Sequence, residues 1–170
     1  MLGEFYCRAV TPSDLAAVLS IEHQTAATGW TASLYEQELR AAGSLFSGAF
    51  TTESDELVGF IAARLILDEL FIFALAVAPH CQRRGLGSLL LDELCKSCRA
   101  SWITLEVRAA NLPARRFYQA QGFRQIGLRK DYYKSPQDDA LVLSRALQSQ
   151  QEADGDKLVP ETRAAAAFQA

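Results

Sequence analysis

The stretch ELFIFALAVAPHCQRRGLGSLLLDELCKSCR, residues 69–99, carries the change of period that decides the fold. Glu69–Val77 is almost wholly apolar and stops before Pro79, which suits a strand covered on both faces. Gln82–Gly87 follows as a short loop with glycines at 85 and 87. From Leu86 the apolar residues fall at helical spacing, with Leu86, Leu89, Leu90 and Leu94 on one face of a helix expected to reach Arg99. In such a loop glycine lets the backbone approach a ligand closely. The helix start adds unpaired N–H groups and the positive dipole end, which together suit a phosphate or pyrophosphate. Arg83 and Arg84 bring charge to the same place. The loop is not a Walker A sequence, because no Gly-Lys-Ser/Thr follows, and it is not G-x-G-x-x-G. Taken alone it reads equally as an anion cradle and as a tight turn with solvated arginines.

On the N-terminal side, Phe5–Val10 alternates as a strand, and Thr11-Pro12-Ser13-Asp14 opens a helix that runs to about Gln24. A second helix starts at Thr31 or Ser33, two rival caps, and runs to about Ala42. Leu45–Thr51 and Leu57–Leu67 form a hairpin about a polar turn. On the C-terminal side come a strand at Trp102–Val107 and a helix at Pro113–Ala120 ended by Gly122. A last strand pair, Phe123–Lys130 and Ala140–Arg145, is joined through Asp131–Asp139. The order β-α-α-β-β-β-α-β-α-β-β is an α/β arrangement on a mixed central sheet. Past Leu147 periodicity is lost, so residues 1–147 are expected to form one domain and 148–170 a flexible tail.

The 170 residues are 49% hydrophobic and 22% charged, with a net charge of −3. That is too apolar for a disordered chain and lacks the basic stripe of a nucleic-acid binder. Four carboxylates against two cations in residues 148–170 account for −2 of the −3, so the acidity belongs mainly to the tail. No run of 18 apolar residues and no leader pattern is seen, so a cytoplasmic protein without a membrane span is expected. Cys95-x-x-Cys98 lacks two further ligands for zinc and lies late in its helix, unlike a redox pair. His80-Cys81 has no orienting partner for thiol catalysis, and no metal is expected. Arg124, Arg129, Lys130 and Lys134 read as a solvated basic edge.

Leu75-Ala76-Val77-Ala78-Pro79 followed by Gln82-x-x-Gly85-x-Gly87 resembles the acetyl-CoA signature of the GNAT N-acetyltransferase superfamily. Asn111 after the Trp102–Val107 strand and Phe117-Tyr118-Gln119-Ala120-Gln121-Gly122-Phe123 complete the family's order, and the resemblance covers residues 4–147. It implies a GNAT fold whose strands splay at the cofactor site. The backbone of Leu75, Ala76 and Val77 would pair with the pantetheine arm, and the amides of Arg83, Arg84, Gly85, Leu86, Gly87 and Ser88 would hold the pyrophosphate. Asn111 would hydrogen-bond the cofactor, and Tyr118 would protonate the departing thiolate, which a phenol of ordinary pKa about 10 can do at pH 7.

Leu105-Glu106-Val107-Arg108-Ala109-Ala110-Asn111 resembles the RimI-type members, which acetylate the N-terminal alanine of a small-subunit ribosomal protein. Gly29 stands where that group usually has proline before Trp30, and Phe73-Ala74-Leu75 replaces a more polar lead. The resemblance implies Glu106 as base, with Trp30, Tyr132 and Tyr133 lining a peptide slot and Glu69 as an anchor. By alternation alone Trp102, Thr104 and Glu106 simply share one face of a half-buried strand. An α-amine of pKa 7.7–8.0 is about one-tenth neutral at pH 7, against roughly 4 in 10,000 for lysine, which favours an N-terminal acceptor. A protein or peptide N-terminus is thus the expected partner, acting on a monomer or weak homodimer. A lysine, polyamine or amino-sugar acetyltransferase and a non-catalytic acyl-CoA-binding module remain as alternatives.

Overall fold

A computed structural model describes residues 4–147. Seven strands and four helices alternate along the chain: β1 Phe5–Ala9, α1 Leu15–Thr25, α2 Ala32–Arg40, β2 Ser44–Thr51, β3 Leu57–Ile66, β4 Glu69–Val77, α3 Leu86–Lys96, β5 Trp102–Arg108, α4 Leu112–Ala120, β6 Arg124–Lys134 and β7 Gln137–Ala146. The expected tail, 148–170, lies outside the described residues. The strands form one sheet in the order β1-β2-β3-β4-β5-β7-β6. Every neighbouring pair is antiparallel except β4 and β5.

Each local expectation has a visible cause. A 3-10 turn at Pro12–Asp14 precedes α1, where Asp14 accepts the Thr11 N–H at 2.8 Å. The same carboxylate pairs with both terminal nitrogens of Arg8 at 2.8 and 3.0 Å, tying α1 to β1. Of the two rival caps before α2, Thr31 takes the position, with extended backbone at ψ 165°. Helix α3 stops at Lys96, three residues before Arg99, and its buried face is Leu86, Leu90, Leu91 and Leu94. The segment 131–139 is not the expected open connection. Pairing continues to Tyr133–Asp138 and Lys134–Gln137, so Tyr132 and Tyr133 lie on β6. Polar side chains there read as a loop, but a hairpin tip exposed to water carries them without desolvation.

Strand β4 holds the device that shapes the molecule. Ala62 pairs with Ala74 and Ala63 with Ile72, leaving Phe73 as an extra residue on β4. Such a bulge reverses the faces of all that follows it. Leu70 and Ile72 therefore pack toward α3 and α4, with Leu75 and Val77 beside them, whereas Ala74 and Ala76 join the core under α1 and α2. The expectation of cover on both faces holds, by two different cores. Beyond the bulge the parallel ladder ends: β4 and β5 are paired only over Glu69–Ile72 and Trp102–Leu105. The remainder of both strands diverges, as the splay requires.

Helices α3 and α4 cover one sheet face. On the other, the core of α1 and α2 includes no residue of β5, β6 or β7. The face of β5 that carries Thr104 and Glu106 lies outside that core, with Thr104 buried and the Glu106 side chain about a quarter exposed.

Candidate active site

The loop after β4 turns through positive φ at Arg83 (63°) and Gly85 (84°), where Gly85 caps α3. Gln82 Nε2 donates to the Val77 carbonyl at 3.0 Å and ties the loop to the strand end. The first bond of α3 runs from the Leu89 amide to the Gly85 carbonyl. Among the described residues the amides from Arg83 to Ser88 have no hydrogen-bond acceptor. These donors, with the positive helix end, form an anion cradle. A Cβ on Gly87 would stand 3.2 Å from the Phe117 ring, so glycine there lets α3 approach α4. Ser88 Oγ accepts from Gln121 Nε2 at 2.8 Å across the same contact. Arg84 differs from expectation: its guanidinium pairs with Glu4 and lies 4.7 Å over the Phe5 ring. What it offers a phosphate is its amide.

The gap between β4 and β5 opens beside this cradle. Leu75, Ala76 and Val77 are paired to β3 on one side only. Tyr118 of α4 reaches the core on the α3 side, 7% exposed, edge-on to Phe117 and Phe123. Burial pushes its phenol well above the ordinary value, so the hydroxyl keeps its proton. Asn111 caps α4, its Oδ1 accepting the Ala114 N–H at 3.1 Å, which leaves its side-chain NH2 as the group to meet a ligand.

Glu106 lies on the open face, opposite Leu105 and Val107, and is paired to Arg129 at 2.8 Å between Oε1 and Nε. Arg129, expected on a solvated edge, is thus drawn to the site by β6. Partial burial and then the Glu106 carboxylate push the facing Tyr132 phenol up to about 12. Arg108 lies 4.0 Å over the Tyr133 ring and donates to the Ser135 and Pro136 carbonyls, which braces the hairpin against β5. Glu69 is engaged within the sheet, accepting from Thr104 Oγ1 at 2.5 Å, and Thr104 also contacts Ser144 Oγ at 3.2 Å. A substrate anchor at Glu69 would share that carboxylate with Thr104.

Trp30, half-buried, packs against Tyr35 and the bulged Phe73 with ring centroids 5.3 and 5.5 Å away. Its loop is held by Glu22, a residue only 3% exposed that sequence reasoning missed. Glu22 accepts from the Thr28 and Gly29 amides at 2.8 and 2.6 Å and from the Tyr35 hydroxyl at 2.8 Å. The signal was present, since Val18, Ile21 and Glu22 fall on one helical face. Arg129 had no comparable signal, because only the β6–β7–β5 register brings it to Glu106.

The expected residues therefore divide into two groups. The cradle, the β4 edge, Asn111 and Tyr118 belong to the helix-covered side, and Glu106, Trp30, Tyr132 and Tyr133 to the open side. The splay joins the two. A separate groove of about 720 Å³ between α4 and the β6–β7 pair, lined by Arg115, Arg116 and Arg124 among others, contains none of these residues. Cys95 and Cys98 are half-buried with their thiols pushed up by burial, as packed thiols rather than reactive ones.

The sequence profile of the acetyltransferase (GNAT) family matches residues 15–123. The chain is similar to the ribosomal protein bS18-alanine N-acetyltransferase of Salmonella typhimurium, 31% identical over 140 residues, 79% of this chain and 93% of that one. The crystal structure of the ribosomal-protein-S18-alanine N-acetyltransferase from Escherichia coli superposes with a TM-score of 0.74 at 27% identity, covering 88% of this chain and 99% of the other. Ard1 from Thermoplasma volcanium superposes with a TM-score of 0.79, also at 27% identity, over 86% and 99%.

Proposed function

This chain belongs to the GNAT acetyltransferase family and is an acetyl-CoA-dependent N-acetyltransferase, and from that premise we propose that its acceptor is the N-terminal α-amine of a protein, foremost the N-terminal alanine of a small-subunit ribosomal protein. Such an acceptor puts the reaction in the cytoplasm. No helix among the described residues is long and apolar enough to cross a membrane. The similarity to enzymes named for that alanine supports the acceptor.

The observation that carries the reading is where the parallel ladder stops. Pairing ends at Ile72 and Leu105, and the next residue of β5 is Glu106, whose side chain is about a quarter exposed. Bound acetyl-CoA supplies the activated thioester carbonyl for attack by the amine. The amides of residues 83–88 hold the pyrophosphate, Asn111 donates its side-chain NH2 to the cofactor, and the free edge of Leu75–Val77 receives the pantetheine amides in the manner of an added strand. Glu106 takes the proton released by the acceptor nitrogen, directly or through one water. Tyr118 gives its hydroxyl proton to the departing sulfur on the other side of the gap. Trp30, Tyr132 and Tyr133 wall the slot for the first residues of the peptide, with Glu69 as an anchor that also accepts from Thr104.

Mass spectrometry of reacted peptides tests the assignment. An Ala-initiated peptide is expected to gain one acetyl group on its α-amine, and a copy with a blocked N-terminus and an internal lysine none. Acetyl on the lysine, or no release of CoA above background, defeats it.

A further inference from the structure

The base sits in a neutral pair. An isolated carboxylate beside the acceptor nitrogen would stabilise its ammonium form, since an opposite charge within about 4–6 Å shifts a pKa by about 1–3 units. An ammonium has no lone pair and cannot attack. The carboxylate of Glu106 has a guanidinium 2.8 Å away, and both side chains are about a quarter exposed, 26% and 25%. At the distance of a neighbouring nitrogen the two charges oppose each other, leaving the field of a short dipole.

The surroundings carry charges of both signs. From β6 the same carboxylate is faced by Tyr132, which stays neutral, and by Tyr133. On β5 the next charge along the face is Arg108, a second cation, turned to the hairpin carbonyls. On β7 Asp138, near Tyr133, accepts the Ala110 amide. On β4 Glu69 is bonded to Thr104.

We propose that Arg129 is a positioning residue that acts through Glu106 to keep the acceptor site from capturing amines as ammonium ions. The inference rests on the proposed role of Glu106 at an amine acceptor site. It has two consequences. The acceptor α-amine keeps its ordinary pKa when bound, so a useful fraction is nucleophilic at pH 7. Small polycations, which at neutral pH are almost wholly charged, are not held there as competitors.

The test compares the full-length wild type with R129Q, R129K and the double variant R129Q/E106Q, using spermidine as the cationic probe. Calorimetry with CoA present measures spermidine binding, and kcat and KM for an Ala-initiated peptide are followed from pH 6 to 9.5. R129Q is expected to bind spermidine at least about tenfold more tightly at pH 7, corresponding to one unit of pKa. The acid limb of its kcat profile moves up by about one pH unit. At pH 7 kcat and KM fall together, so kcat/KM changes little, and at pH 9.5 kcat recovers. R129K, which keeps the cation, stays near wild type, and R129Q/E106Q loses the gained spermidine affinity. Unchanged spermidine binding in R129Q overturns the proposal, as does a loss of kcat/KM of equal size at every pH. A wild type that acetylates no Ala-initiated peptide defeats the proposed acceptor instead. Spermidine binding needs no turnover and still decides the role of Arg129.

Discussion

Tyr118 illustrates how burial equips a single side chain. Packed against Phe117 and Phe123, its phenol is pushed upward in pKa, so the protonated form persists as pH rises through the range where a free tyrosine begins to ionise. Tyr118→Phe is expected to lower kcat by about 10²–10³-fold, with acetyl-CoA affinity little changed. Steady-state kinetics on the folded variant measures this, and a variant with more than a tenth of the wild-type kcat removes Tyr118 as the acid. The wild-type rate should show no alkaline limb from this group below pH 10. Sequence reasoning found Tyr118 and Glu106 through the segments around them. It missed the partner of Glu106, because Arg129 is 23 positions away and nothing local distinguishes it from Lys130.

At the level of elements, one carboxylate ties α1 to α2 and the loop between them, and another ties the start of α1 to β1. Glu22, 3% exposed, accepts three hydrogen bonds, so Glu22→Ala takes the acceptor from two part-buried amides and leaves the Tyr35 hydroxyl only its contact with Thr28 Oγ1, and is expected to cost about 2–3 kcal/mol. Urea denaturation measures that cost. With Trp30 no longer held, KM for the peptide should rise more than KM for acetyl-CoA, and equal rises would place Trp30 outside the slot. Asp14 is lowered to about 2, first by its hydrogen bonds to Arg8 and then by the Thr11 amide and hydroxyl. A carboxylate with a depressed folded pKa contributes stability that is present above its unfolded value, near 4, and lost as pH falls toward 2. Asp14→Asn is therefore expected to destabilise by about 1–2 kcal/mol at pH 7, an amount reduced by solvent around the part-exposed Arg8. The difference from wild type should shrink steadily on acidification from pH 4 to 2; a gap undiminished at pH 2 would mean that packing, not charge, is lost.

At the scale of the whole molecule, the described residues 4–147 hold a seven-stranded sheet and two cores, and the Leu147 amide donates to the Ser101 carbonyl at 2.8 Å. We expect a variant ending at Leu147 to melt within a few degrees of the full chain and to retain its acetyl transfer within about threefold, since it keeps the seven-stranded sheet and both cores described above. A larger fall in activity at unchanged melting temperature would give residues 148–170 a part in the reaction. Element types and order were legible because they rest on short-range causes: the helical spacing after Gly85, the cap at Thr31, the proline after β4 and the glycine loop. The loop before α3 was legible for the same reason, although alone it read equally as an anion cradle and as a tight turn. The bulge at Phe73 was not, because an apolar run reads the same with or without an extra residue, and only pairing with Ala62 and Ala63 reveals it. That bulge reverses the faces of β4 next to the point where the ladder to β5 ends. The sequence by itself determined the parts that local backbone geometry and periodicity dictate: the strands, the helices and the glycine loop before α3, whereas the roles proposed for that loop and for Tyr118 came from a family resemblance. Tertiary structure alone decided the charge state of the acceptor site, because the pairing of Arg129 with Glu106 depends on a three-strand register that no neighbouring residues encode.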